Sequence, residues 1–137
     1  KMKKIAFLLI LSVLLSFSMS VVASAEEYGV TPRYSNFNYS HQYFSIENDV
    51  AIANIYVTGT PNVTLRTTVN VTIEKRALLG LWWKEEASWT SSSTDLNPSF
   101  TFTKEVKNGT YRCNFEITVE GSGGSADVIT DQITAAN

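Results

Sequence analysis

The sequence predicts an all-β domain, a two-sheet sandwich of about seven strands, behind a short apolar leader. Three observations predict it. Most of the chain after residue 33 alternates apolar and polar residues with a period of two, it is rich in Val, Thr, Tyr and Phe, and Gly-, Pro- and Asn-containing breaks divide it at nearly even spacing. β-Branched and aromatic side chains fit a pleated, half-buried surface. Short strands at regular spacing are the pattern of a sandwich or barrel, and no convincing helix follows the leader.

The leader comes first in the chain. Lys1, Lys3 and Lys4 are followed by an uncharged apolar run from Ile5 to about Val22, and then by Ala23-Ser24-Ala25. A basic start, an apolar centre and a small-x-small site make up the signal-peptide pattern, which predicts cleavage before Glu26. The competing reading is an uncleaved anchor, since about 20 apolar residues span a bilayer. Ser12, Ser16, Ser18 and Ser20 weaken that reading. Residues 1–25 are therefore read as a signal peptide, 26–33 as a lead-in containing Gly29 and Pro32, and 34–137 as the domain. No cysteine follows the apolar run to carry a lipid, and no second apolar segment is present. The expectation is a secreted, extracellular protein that meets a membrane only during export, with a leader of bacterial style.

The elements follow in order. Phe44 and Ile46 mark a first short strand, punctuated by Asn48-Asp49. Ala51, Ala53, Ile55 and Val57 form one face of the second, which stops at Gly59-Thr60-Pro61-Asn62, a turn cluster. The third alternates most strictly: Val63, Leu65, Thr67, Val69, Val71 and Ile73 on one face, Thr64, Arg66, Thr68, Asn70, Thr72 and Glu74 on the other. Such alternation means a strand with one buried side. A connection through Lys75-Arg76-Ala77-Leu78-Leu79-Gly80-Leu81 leads to a fourth strand, Trp82 to Thr90, on which Trp83, Glu85, Ala87 and Trp89 share a face. Ser91–Pro98 reads as a polar loop, and Phe100 and Phe102 mark the fifth strand. Asn108-Gly109 reads as a tight hairpin turn, since both residues tolerate positive φ. Tyr111, Cys113, Phe115, Ile117 and Val119 line one face of the sixth strand; Gly121–Gly124 is a loop, and Val128–Ile133 a weaker last strand.

Composition narrows the function. Without the leader about 112 residues remain, with 8 basic and 13 acidic side chains, a net charge of −5. That balance argues against electrostatic binding of nucleic acid or anionic lipid. A chain of this length buries a sufficient core without staples, and it must, because a single cysteine forms no internal disulfide. The expected state is a monomer.

Tyr111-Arg112-Cys113, just after a turn at the start of the penultimate strand, resembles the Tyr-x-Cys of immunoglobulin domains, whose tyrosine hydroxyl pins a corner. The partner cysteine is absent: Ala51, Ala53 or Ile55 stands where it would be, and the third strand has no tryptophan. The implied architecture is an immunoglobulin-like or fibronectin-like sandwich without the disulfide. A second resemblance covers nearly the whole chain. Tyr28-Gly29-Val30-Thr31-Pro32-Arg33-Tyr34, Val69-Asn70-Val71-Thr72-Ile73-Glu74-Lys75, and Trp83 with Trp89 are similar to features of small secreted proteins of uncharacterised function from gut Clostridia and related Firmicutes. That resemblance implies an extracellular β-sandwich and supplies no activity.

Few residues offer chemistry. Cys113 falls on the inward face by alternation, where a thiol behaves as a small hydrophobe. A nucleophilic cysteine needs a base beside it, and His41, the one histidine, is far away in sequence. A lone histidine without a cysteine or acidic cluster is a poor zinc site. Glu85 and Glu86 are adjacent on a strand and point to opposite faces. Asp127 and Asp131 share a strand face without a calcium-loop pattern around them. No catalytic, metal or cofactor-binding residue is assigned. Asn38, Asn62, Asn70 and Asn108 stand in N-x-S/T sequons, which arise by chance in a chain rich in Thr and Asn.

The most unusual segment is Leu78-Leu79-Gly80-Leu81-Trp82-Trp83. In one reading Trp83 and Trp89 alternate into the core, with Tyr111 and Cys113, as structural residues, while the leucines cap the sandwich. In the other, Leu79, Leu81 and Trp82 are exposed and contact a partner, as exposed apolar patches do, with the Ser91–Asn97 loop second. The function expected is a secreted, non-enzymatic binding or structural module whose end loops contact an unknown protein or glycan. The alternative is a secreted toxin or antimicrobial that acts on membranes through the apolar Leu78–Trp83 loop.

Overall fold

The structure, a computed structural model, describes residues 34–137. The expected signal peptide, residues 1–25, and the lead-in, residues 26–33, lie outside the described residues. Seven strands make up the domain: β1 Phe37–Glu47, β2 Val50–Gly59, β3 Thr64–Ala77, β4 Trp82–Ser93, β5 Ser99–Glu105, β6 Thr110–Gly121 and β7 Asp127–Ala136. They form an antiparallel three-stranded sheet of order β1-β2-β5 and an antiparallel four-stranded sheet of order β4-β3-β6-β7. The fold is the expected all-β, immunoglobulin-like sandwich without a disulfide. In the constant-domain arrangement the fourth strand joins the first sheet. Here β4 pairs with β3 instead, the fibronectin-like variant of the same sandwich.

The inner faces follow the alternation. Ala51, Ala53, Ile55 and Val57 of β2 meet Val69, Val71 and Ile73 of β3 and Cys113, Phe115, Ile117 and Val119 of β6, all buried. Ala53 lies between Phe44 of β1 and Phe102 of β5 in the sheet register, so a small side chain makes room for two large ones. Each fully buried Val, Ile or Phe contributes roughly 1.5–3 kcal/mol, which is how this chain holds together with one thiol and no bridge.

Turn chemistry places the strands. Asn48 and Asp49 have φ of 49° and 61° and join Glu47 to Val50 as a two-residue hairpin. Positive φ at both central positions matches the twist of the flanking strands. Gly59, at the end of β2, is in contact with the β4–β5 connection: a Cβ there would lie 2.4 Å from the Leu96 carbonyl oxygen.

Several expectations are corrected. β1 is 11 residues long and starts at Phe37, well before the strand expected around Phe44 and Ile46. The register of β3 shifts between Thr64 and Arg66, which turns Leu65 out to solvent, while Thr67 keeps its expected inward place. β4 runs on to Ser93, which shortens the Ser91–Pro98 loop, and β7 extends from Asp127 to Ala136. Asn108-Gly109 is not a hairpin turn. β5 and β6 belong to different sheets, and Asn108 is not among the residues with positive φ. The segment arches from one sheet to the other, and the Tyr111 hydroxyl donates to the Lys107 carbonyl at 2.8 Å to hold the arch. This is the corner expected from Tyr-x-Cys.

Candidate functional site

The β3–β4 hairpin carries the residues singled out for contact. Ala77 pairs with Trp82 across the end of the ladder, and Leu78–Gly80 form the tight turn between them. Leu79 (φ 55°) and Gly80 (φ 77°) both take left-handed backbone. Glycine does so freely, but a bulky side chain rarely does, and such a conformation costs on the order of 1–3 kcal/mol. The turn therefore holds Leu79 away from the domain: it is 98% exposed, Leu81 74% and Trp82 48%. Lys75 and Lys84 are direct cross-strand partners just behind this tip, beside the exposed Arg76. Like charges placed opposite each other destabilise a strand pair. The one salt bridge among the described residues is elsewhere, between Arg112 and Glu74.

Trp83 is not in the core. Ile73 pairs with Ala87, but Glu74 pairs with Glu85, so Glu86 is an extra residue on β4. Such a bulge reverses the facing of everything beyond it. Ala87 and Trp89 point inward, whereas Glu85 and Trp83 lie on the outer face, opposite Glu74 and Arg76. Trp89 stacks on Phe102 at 5.3 Å and joins the two sheets. The Trp83 ring lies 4.4 Å from the Arg112 guanidinium and 5.8 Å from that of Arg76. Arg112 donates from Nε and Nη2 to the two carboxylate oxygens of Glu74, at 3.3 and 3.0 Å. Asn114 also donates to Glu74, and Gln132 donates to the Asn114 side-chain oxygen. One row of side chains thus crosses all four strands. An open groove of about 750 Å³, lined by Asn70, Thr72, Asn114, Glu116, Thr130 and Gln132, lies beside it.

The remaining candidates do not converge. Cys113 is fully buried between Ile73 and Ile133 in the register, and burial, with the Asp131 charge adding to it, pushes its thiol up to about 12. His41 lies on the outer face of the other sheet, against Tyr39 and Tyr43. Asp127 accepts hydrogen bonds from the backbone N–H groups of Ser35 and Asn36, at 3.1 and 2.7 Å, and ties the start of β1 to β7. Asp131 accepts from the Gln132 N–H. Among the described residues, no group of three His, Cys, Asp or Glu side chains gathers to hold a metal.

Two residues escaped the sequence reading. Asn36 is fully buried, donates to the Ser125 and Val119 carbonyls and accepts from the Gly123 N–H, so it closes the end of the sandwich opposite the hairpin tip. Its partners lie more than 80 residues away, and no local pattern points to them. The second is Tyr56, which extends the outer-face row of Tyr39, His41 and Tyr43.

No family model matches the chain, and no curated protein matches it. Among solved structures, the chain is similar to the CARDB domain of the PF1109 protein from Pyrococcus furiosus, a crystal structure in complex with di-metal ions: 18% identity, 75% of this chain and 96% of that one covered, TM-score 0.42. It is also similar to Spo0M, a sporulation control protein from Bacillus subtilis: 9% identity, 72% of this chain and 49% of that one, TM-score 0.35.

Proposed function

We propose that this chain is an exported, non-catalytic binding module that meets a protein or glycan partner with the end of its β3–β4 hairpin. The observation that carries this reading is the tip itself. Leu79, Leu81 and Trp82 are adjacent, apolar and exposed, and the left-handed backbone of the turn holds Leu79, a bulky residue, outward. Exposed apolar patches mark interaction sites, and bulky residues kept in left-handed backbone cluster at functional segments. Lys75, Arg76 and Lys84 surround the base of the tip, so the partner fits best with an apolar patch bordered by acidic groups. Export rests on Lys1, Lys3, Lys4, the apolar run and Ala23-Ser24-Ala25. The non-catalytic reading is supported by the separation of His41 from Cys113 and by a thiol held protonated, since the thiolate is the nucleophile.

Two measurements test it. Mass spectrometry of the protein from culture medium should give an N-terminus at Glu26. Labelled protein added back to the fractions of that culture and to host-cell surfaces should be retained by one of them, with Leu79→Asp and Trp82→Ala each reducing retention by about tenfold or more, as loss of an interface anchor does. Retention unchanged in both variants refutes the hairpin as the contact.

A further inference from the structure

A second, separate surface lies on the outer face of the three-stranded sheet. Tyr39, His41 and Tyr43 alternate along β1, and each points away from the core. His41 pairs with Tyr56 of β2 in the register, which brings a fourth ring onto the same face. The rings touch in sequence: Tyr39–His41 at 5.3 Å between centroids, His41–Tyr43 at 6.2 Å, and Tyr43–Tyr56 at 6.1 Å. All four side chains are exposed, the tyrosines about half. The result is a continuous aromatic strip that covers no core residue, where solitary exposed rings would be unremarkable.

The charge of this face indicates the class of its occupant. In the register, the positions beside the strip on β2 and β5 are Asn54, Thr58, Ser99 and Thr101, none of them charged. The acids of this face, Glu47 on β1 and Glu105 on β5, sit at its end on either side of Val50, beyond Ser45 and Thr103. The stretch around the rings carries no charged neighbour and suits an uncharged ligand, because a charged one would lose hydration without gaining a partner. The strip also mixes two kinds of surface. Ring faces offer apolar area, while the tyrosine hydroxyls, the His41 nitrogens and the Asn54 side chain, which already accepts from Thr101 at 2.8 Å, offer hydrogen bonds. A pyranose has the complementary pair of surfaces: a C–H face that packs on aromatic rings and a rim of hydroxyls. The row runs along one strand, so its occupant is linear.

We propose that the Tyr39–His41–Tyr43–Tyr56 strip binds a neutral polysaccharide chain. The site is independent of the hairpin tip, and either proposal stands without the other.

The test is retention of the folded protein on insoluble cellulose, chitin and xylan, followed by calorimetric titration with the soluble hexasaccharide of whichever retains it. The expected result is retention by one of the three, with Tyr39→Ala and Tyr43→Ala each weakening the hexasaccharide by about tenfold, the loss of one ring's packing. Tyr43→Phe, which keeps the ring, should weaken it less. Val128→Ala, exposed on the other sheet and outside both sites, should leave it unchanged. Because the tyrosines are exposed, the alanine variants keep the parent's melting temperature, which separates lost binding from lost folding. No retention on any of the three polysaccharides, or equal affinity of the Tyr39→Ala and Tyr43→Ala variants and the parent, overturns the proposal.

Discussion

Cys113 couples the core of this domain to alkaline pH, and the size of the coupling follows from its position. The thiol is fully buried between the sheets and takes up its proton far more tightly than an exposed cysteine: burial, and secondarily the Asp131 charge, move it from its ordinary 9.0 to about 12. The unfolded chain lacks this environment, so its thiol ionises near the ordinary value. The native state then holds the proton through a range of pH in which the unfolded state releases it. The thiol's contribution is complete below pH 9 and is lost as pH rises toward 12. Each pH unit removes up to about 1.4 kcal/mol once the unfolded thiol is ionised, so about 2 kcal/mol disappears between pH 9 and 11. That is a large share of the roughly 5–15 kcal/mol that holds a small domain together. The assay is urea unfolding of the parent and of Cys113→Ala at pH 8, 9, 10 and 11. Lysines and tyrosines titrate in the same range in both proteins, so the difference between the two curves isolates the thiol. The parent should lose its advantage over the variant steadily above pH 9. Asp131→Asn should retain most of the slope, because burial is the larger cause. Parallel curves for parent and Cys113→Ala from pH 8 to 11 would refute the buried, protonated thiol.

Two further substitutions probe the frame around the candidate surfaces. Tyr111→Phe removes the hydrogen bond to the Lys107 carbonyl and should lower stability by about 1 kcal/mol, seen as a lower urea midpoint with an unchanged slope. Arg112→Ala strips Glu74 of a two-point partner and Trp83 of its stacked guanidinium, and should lower stability by about 2 kcal/mol while shifting Trp83 fluorescence to the red as the ring meets water. An unshifted emission maximum would place Trp83 elsewhere.

The strands of the core were legible because their side chains obey one rule over a long run. Val69, Val71 and Ile73 on β3, and Tyr111 through Val119 on β6, sit at the centre of the four-stranded sheet with a neighbour on each side, and nothing there interrupts the alternation. Legibility fails where a single residue is inserted. The extra Glu86 leaves no mark in the hydropathy pattern, yet it moves Trp83 from the core to the outer face. The shift at Thr64–Arg66 exposes Leu65 in the same way. Asn108-Gly109 misled because turn chemistry is local and sheet membership is not: the same dipeptide joins two strands of one sheet or carries the chain across to the other. The hairpin tip was readable as an apolar run in a connection, but only the backbone angles at Leu79 and Gly80 decide that its leucine faces outward. The aromatic strip was half readable. Tyr39, His41 and Tyr43 recur at every second residue, a signal in plain view, while Tyr56 joins them only through the β1–β2 register.

The bulge at Glu86 has an effect beyond the fate of one tryptophan. β4 is the outermost strand of its sheet, so one side of its backbone carries N–H and C=O groups that no neighbouring strand takes up. Such a row invites a strand from another molecule, and sheets that grow this way become aggregates. Lys84, Glu85 and Glu86 interrupt the row with three consecutive charges at the very residue where the ladder loses its regular spacing. A second copy approaching along this strand finds its hydrogen bonds out of step after Glu86 and must bury charge to continue. The irregularity that hid Trp83 from the sequence pattern is thus also a guard against polymerisation.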